Sequence, residues 1–75
     1  MTPRVELSCL GMRCPRPIIE LAKAARRTPG ATIRIEADDP AFESDVRAWC
    51  ETTGATLSEL SSDGVRVMVI IQIKG

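Results

Sequence analysis

Histidine and tyrosine are absent from this 75-residue sequence, and phenylalanine and tryptophan occur once each. The lack of histidine excludes Ser-His-Asp and Cys-His catalysis, and it also excludes zinc sites built from cysteine and histidine. The chemistry that remains is that of cysteine, carboxylates, lysine and backbone groups. Any reactive centre in this chain is therefore expected to use one of these groups, and the chain has three cysteines.

The chain also lacks an excess of charge and a long apolar run. Ten Lys and Arg residues balance ten Asp and Glu residues, so there is no global positive field to attract a nucleic acid. No apolar segment approaches the roughly 20 residues of a membrane span, and the first residues show no signal-peptide pattern. We expect one soluble, cytoplasmic, monomeric domain over residues 1–75 that binds neither nucleic acid nor membrane.

Apolar periodicity predicts an α/β (α+β) two-layer sandwich. Alternating residues indicate strands and 3.6-residue stripes indicate helices, in the order β-α-β-α-β-β, with strands near 4–8, 32–37, 55–61 and 65–73 and helices near 15–27 and 40–53. Helical crossovers favour parallel strand pairing, and the Asp63-Gly64 turn favours an antiparallel pair. The prediction is a four-stranded mixed sheet with two helices on one face.

Several positions carry more specific predictions. Asp38 and Asp39, just before Pro40, are expected to cap the second helix, and Gly54 to end it. Strand parity directs five residues of the last strand toward the helices: Val65, Val67, Val69, Ile71 and Ile73. Met68 and Ile70 then face away, either as ordinary surface or as a patch for docking or self-association.

The segment from Gly11 to Pro17 carries the chemistry. Cys14 comes at the predicted start of the first helix, where the dipole and free amides stabilise an anion and lower a thiol pKa. Arg13 and Arg16 add positive charge on either side. Pro15 and Pro17 remove two first-turn amides, and the amides of Cys14 and Arg16 are expected to face the sulfur. Cys14 is thus the predicted reactive thiol.

Other roles for these cysteines compete with that prediction. Cys14 as a buried small hydrophobe and a metal site built on Cys9, Cys14 and Cys50 are both disfavoured, so we expect no metal. Cys9 and Cys50 are predicted core residues, and Cys9 as a thiol that resolves Cys14 into a disulfide is the alternative. Met12 and Ile19, on either side of Cys14, are expected either to form a docking surface or simply to pack.

The sequence resembles the TusA/SirA family of small sulfur carrier proteins over essentially its whole length. The residues that carry the resemblance are Leu7, Gly11, Arg13-Cys14-Pro15, Pro17, Asp38-Asp39-Pro40 and Trp49-Cys50. The resemblance implies a fold similar to the C-terminal domain of translation initiation factor three. Ser8 stands where the family often has Asp, and Ala55 where it often has His, which loosens any assignment to the tRNA-thiolation branch.

The resemblance also implies the function. Cys14 would receive sulfur as a persulfide from a cysteine desulfurase or a rhodanese-type donor and pass it to an acceptor protein, with no cofactor other than that covalent persulfide. The acceptor would serve tRNA thiolation, molybdenum cofactor maturation or sulfur oxidation. Such transfer needs no general base, so it suits a chain without histidine. The alternative hypothesis is a regulatory or interaction module in which Cys14 senses redox state.

Overall fold

A computed structural model describes residues 4–13 and 15–74 of the chain. It contains six elements in the predicted order: β1 (Arg4–Cys9), α1 (Arg16–Arg27), β2 (Thr32–Ala37), α2 (Phe42–Thr53), β3 (Thr56–Ser62) and β4 (Val67–Gln72). Neither described helix is both long and apolar enough to cross a membrane. The predicted fold class, a mixed sheet with two helices in an α+β sandwich, is confirmed.

The four strands form one sheet in the order β1-β2-β4-β3. β1 and β2 are parallel because α1 crosses between them, and their register pairs Cys9 with Ala37. β4 lies antiparallel to both of its neighbours, β2 and β3. The parallel pair brings the ends of β1 and β2 to one edge of the sheet, and both helices begin at that edge.

One apolar core fills the space between the helices and the sheet. Leu21 of α1 and Phe42 and Val46 of α2 pack with alternate residues of the central strands, among them Ile33, Ile35, Val69 and Ile71. Each of these side chains is 0% or 1% exposed. Burial of a side chain of this size contributes roughly 1.5–3 kcal/mol, so this layer supplies the main stabilising free energy of the domain.

The last strand is shorter than predicted. β4 begins at Val67, and Val65 is 73% exposed rather than turned toward the helices. The reason is a side-chain turn: the amides of Val65 and Arg66 both donate to Asp63 Oδ1, at 3.0 and 2.7 Å. These bonds hold Val65 and Arg66 in the turn between β3 and β4, so strand parity does not apply to them.

The opposite face of the sheet is mostly polar. Arg34 Nη1 lies 3.9 Å from Glu6 Oε1, as their paired register predicts, and Thr32 Oγ1 lies 2.7 Å from Gln72 Oε1. Met68 and Ile70 face this side and are half-buried. They are not among the exposed large apolar residues of the described chain.

Candidate functional site

The loop between β1 and α1 carries the predicted motif. Cys14 itself lies outside the described residues, but its neighbours on both sides are described. The Met12 amide donates to the Cys9 carbonyl at 3.1 Å as the chain leaves the strand. The Arg16 amide donates to the Arg13 carbonyl at 2.9 Å, a bond that spans positions 14 and 15. The motif is therefore tied to the end of β1 and to the start of α1.

The Arg16 amide corrects one sequence-based prediction. The sequence predicts an Arg16 amide that is free to face an anion, but in the structure this amide donates to the Arg13 carbonyl. A turn of this kind satisfies an orphan amide that the helix would otherwise leave to a ligand. Pro15 is the N-cap residue and makes no side-chain cap bond, so α1 begins one residue later than predicted.

Pro17 contributes packing as well as the loss of an amide. Its side chain is among the fully buried ones, below 2% exposure, although it stands in the first turn of α1. Pro15 and Arg16, by contrast, are exposed. The start of α1 thus buries Pro17 in the core and leaves Pro15 and Arg16 at the surface.

Asp38 reaches the motif from the end of β2. Its Oδ1 accepts the Gly11 amide at 2.9 Å and lies 3.5 Å from Nη1 of Arg13. The prediction that Asp38 and Asp39 cap α2 is wrong. The N-cap residue of that helix is Ala41, and no side chain caps it. Asp38 instead bonds across 27 and 25 residues of sequence to the loop that contains Cys14.

Asp39 lies next to this contact and points into the protein. Asp39 is 8% exposed, and its buried Oδ2 has no hydrogen-bond partner among the described residues. Its carbonyl accepts the Phe42 amide at 3.0 Å and so forms the turn that leads into α2. The backbone of Asp39, rather than its carboxylate, therefore starts the second helix.

The charges near the motif are mixed. The Arg13 side chain is 68% exposed and forms an ion pair with Asp38. The first turn of α1 contains no acidic residue, so no carboxylate there opposes an anion at the helix start. Arg16 is exposed and close enough to the end of β1 to influence Cys9.

Cys9 and Cys50 are core residues, as predicted. They are 1% and 6% exposed and are free thiols. Burial raises the pKa of the Cys9 thiol, and Glu20 raises it further, whereas Arg16 lowers it. Burial also raises the pKa of Cys50. Both thiols are therefore held in their protonated, unreactive form. A disulfide between Cys9 and Cys14 stays a prediction, because Cys14 lies outside the described residues.

Two exposed apolar residues flank the motif. Leu10 is 38% exposed at the end of β1, and Ile19 is 45% exposed on the first turn of α1. Of the two roles predicted for Met12, docking and packing, the structure shows packing, since Met12 is half-buried against the core. A separate groove of about 340 Å³ lies between the start of α1 and α2, and it is lined by Pro15, Ile18, Asp45, Ala48, Trp49 and Thr52.

The family described as sulfurtransferase TusA matches residues 5–73, which is nearly the whole chain. The chain belongs to the TusA family. Membership supports a general role as a sulfur carrier or sulfurtransferase that interacts with sulfur donors and acceptors.

The structure adds residues to this TusA-family site that sequence reasoning missed. The sequence pattern predicts a helix cap at Asp38 and gives no reason to select Leu10. The available signal for Asp38 was topological: a β-α-β unit with parallel strands places the residue after β2 beside the loop after β1. Of the predicted site residues, the structure brings Gly11 and Arg13 together around Asp38, whereas Arg16 and Pro17 belong to the helix start.

Proposed function

We propose that Cys14 is the residue on which this TusA-family protein carries sulfur, as a persulfide. The observation that best supports the proposal is the setting of position 14: Arg13, Pro15 and Arg16 are all exposed, and no carboxylate occupies the first turn of α1. A thiolate at this point is favoured by the helix dipole and by the exposed guanidinium of Arg16. The two other thiols are buried.

The proposed chemistry is two thiol exchanges. In the first, the Cys14 thiolate attacks the outer sulfur of a donor persulfide. A new S–S bond forms to Cys14, the S–S bond of the donor breaks, and the donor leaves as a thiolate with the electron pair of that bond. In the second, an acceptor thiolate attacks the outer sulfur on Cys14 and releases Cys14 as a thiolate. Neither step needs a cofactor, a metal or a net change of redox state.

We further propose that donor and acceptor dock on the apolar pair Leu10 and Ile19. These two side chains account for two of the three exposed large apolar residues in the described chain, and they flank the motif on both sides. The donor is a cysteine desulfurase or a rhodanese-type protein. The same two steps serve tRNA thiolation, molybdenum cofactor maturation and sulfur oxidation, the three pathways that the family resemblance implies.

The test is mass spectrometry after incubation with a persulfide donor. The wild-type protein should gain about 32 Da on the peptide that contains Cys14, and a thiol reductant should remove the gain. Cys14→Ser should gain nothing, whereas Cys9→Ser and Cys50→Ser, once shown to be folded by circular dichroism, should still load. Loading of Cys14→Ser to the wild-type extent would remove the central claim.

The redox-sensor alternative predicts a different mass change. A Cys9–Cys14 disulfide would lower the mass by about 2 Da, because the added mild oxidant takes up the two thiol hydrogen atoms with their electrons, and no sulfur would be gained from a donor. The burial of Cys9, at 1% exposure, disfavours this alternative because an attacking or resolving thiol must be accessible.

A further inference from the structure

We propose that Asp38 is a positioning residue for Cys14: its carboxylate holds the loop from Gly11 to Arg13 and offsets the charge of Arg13. The inference rests on the proposed function, because it concerns the same reactive thiol. It does not depend on sulfur transfer for its test.

The hydrogen bond to Gly11 is the first part of the argument. Gly11 has φ of 82°, a left-handed conformation in which an L-residue is strained. In this conformation its amide donates to Asp38 Oδ1 at 2.9 Å. The parallel register that pairs Cys9 with Ala37 places Asp38 one residue beyond the pair, level with the start of the loop. The pairing of β1 with β2 therefore sets the position of the Asp38 carboxylate, and that carboxylate holds the loop at Gly11.

The short distance along the chain connects this bond to the thiol. Three peptide units separate Gly11 from Cys14, so their Cα atoms cannot be more than about 11 Å apart. On the other side of position 14, the Arg16 amide is bonded to the Arg13 carbonyl at 2.9 Å. The segment that bears the thiol is thus held at Gly11 by Asp38 and at Arg13 by the helix start. Release of the first contact frees one of the two attachments.

The ion pair with Arg13 is the second part of the argument. Nη1 of Arg13 lies 3.5 Å from the same Oδ1 that accepts Gly11. The Asp38 side chain is 28% exposed, so solvent screens this carboxylate less than it screens Arg13, which is 68% exposed. A negative charge at this place opposes a thiolate nearby and cancels part of the positive potential of Arg13.

Other charges surround the loop and remain in every variant considered below. Among the described residues, those from the elements packed around it are Arg16 and Glu20 of α1, Asp39 at the end of β2, and Asp45 of α2. Asp38 differs from the other three carboxylates in bonding directly to the loop. It is also free of any helix-capping role, since Ala41 is the N-cap residue of α2.

Two substitutions separate position from charge. Asp38→Asn keeps an oxygen that accepts the Gly11 amide but removes the negative charge. Asp38→Ala removes both. The pH dependence of iodoacetamide alkylation at Cys14, followed on its own peptide by mass spectrometry, should show that each variant lowers the apparent pKa of Cys14 by about 0.2 to 0.7. Amide hydrogen exchange at Gly11, followed by NMR, should accelerate about 5-fold or more in Asp38→Ala and stay near wild type in Asp38→Asn.

Asp63→Asn is the matched control. Asp63 is also a surface aspartate whose Oδ1 accepts two backbone amides, but it lies in the turn between β3 and β4. It should leave both the Cys14 midpoint and Gly11 exchange at their wild-type values.

Two results would overturn the proposal. One is an apparent pKa of Cys14 that is unchanged or raised in Asp38→Asn. The other is Gly11 exchange in Asp38→Ala within about 2-fold of wild type, which would mean that the bond to Asp38 contributes nothing. If Asp38→Ala fails to fold, the apparent pKa of Cys14 in Asp38→Asn still tests the proposed effect of the Asp38 charge. Persulfide loading is not measured, so failure here is distinct from failure of Cys14 as the sulfur carrier.

Discussion

Cys9 and Cys50 show how burial changes the chemistry of one residue type. Both thiols belong to the core, and in both cases removal from water raises the pKa because it disfavours the thiolate. For Cys9, the Glu20 carboxylate adds to this effect. Neither thiol is suited to attack a persulfide at neutral pH, since the thiolate is the nucleophile.

Because the pKa values of Cys9 and Cys50 are raised by burial, we expect the protein to lose stability at alkaline pH. Their pKa is raised in the folded state, so the fold binds more protons than the unfolded chain above about pH 8.5, the ordinary thiol value. The free energy of unfolding should be unaffected below that pH and should fall above it, by at most about 1.4 kcal/mol per pH unit for each thiol. Urea unfolding between pH 7 and 9.5 measures this slope.

The comparison that checks it is the double variant Cys9→Ala and Cys50→Ala. Its stability is expected to be lower throughout, because small cavities form, but to fall less steeply with pH. Above about pH 8.5, Cys14→Ser should keep the wild-type slope, because a thiol whose pKa is lowered in the folded state changes the slope only below that pH. An equally steep decline in the double variant would show that other groups cause it.

Helix ends illustrate what happens at the scale of an element. α2 ends as predicted at Gly54, which has φ of 81° and donates its amide to the Cys50 carbonyl at 2.9 Å. A Cβ at this position would lie 3.3 Å from Cδ of Lys74, a close contact with a flexible side chain. The conformation itself is the larger obstacle to other residues, because an L-residue is strained there.

Gly54→Ala should therefore reduce the free energy of unfolding by about 1–2 kcal/mol. Gly54→Asn is the control, because asparagine tolerates the left-handed conformation at a helix end and should cost less than alanine. Chemical denaturation at pH 7 measures both. The explanation by backbone conformation fails if alanine costs no more than asparagine.

The hairpin formed by β3 and β4 differs in two details from what its sequence pattern predicts. Asp-Gly predicts a hairpin, and the antiparallel pair is confirmed. The strand pairing shifts register between Leu57 and Glu59, however, and this shift lets Leu57 and Leu60, which are three residues apart, both pack against the core. Hydrogen bonds donated by the amides of Val65 and Arg66 to the Asp63 carboxylate make the turn longer and β4 shorter than predicted.

The whole molecule has no net charge, and its charges are interspersed. Ten basic and ten acidic residues are present, and ion pairs in the described part of the chain include Arg13–Asp38, Lys23–Glu20, Arg34–Glu6, Arg47–Glu43 and Arg66–Asp63. Pairs on the surface contribute little to stability, but they break up any single positive surface.

Binding of tRNA by the protein alone should therefore be weak. We expect a Kd no tighter than about 10⁻⁴ M at physiological salt, measured by fluorescence anisotropy with labelled tRNA. The double variant Glu20→Lys and Glu43→Lys, which breaks two of the ion pairs and makes the protein basic, is a positive control and should bind more tightly with a clear salt dependence. Submicromolar binding by the wild type with a steep salt slope would reveal a basic surface that the charge balance conceals.

Local pattern was enough to predict the order of elements, the fold class and most of the core. The alternation of Ile33, Ile35 and Ala37 with polar residues made β2 predictable, and the structure buries all three. The identification of Gly54 as a helix end rested on equally local backbone preferences. These features were accessible because strand and helix periods depend on neighbours within a few residues.

The environment of the motif depended on contacts between distant segments. Asp38 meets Gly11 and Arg13 only because the parallel register of β1 and β2 aligns two loops that lie more than 20 residues apart. The same tertiary packing places the half-buried Met12 against the core and leaves Leu10 exposed. The capping rule failed for Asp38 because a carboxylate bonds to whichever donor the tertiary structure brings within reach, and here the donors, the Gly11 amide and the Arg13 guanidinium, come from another loop.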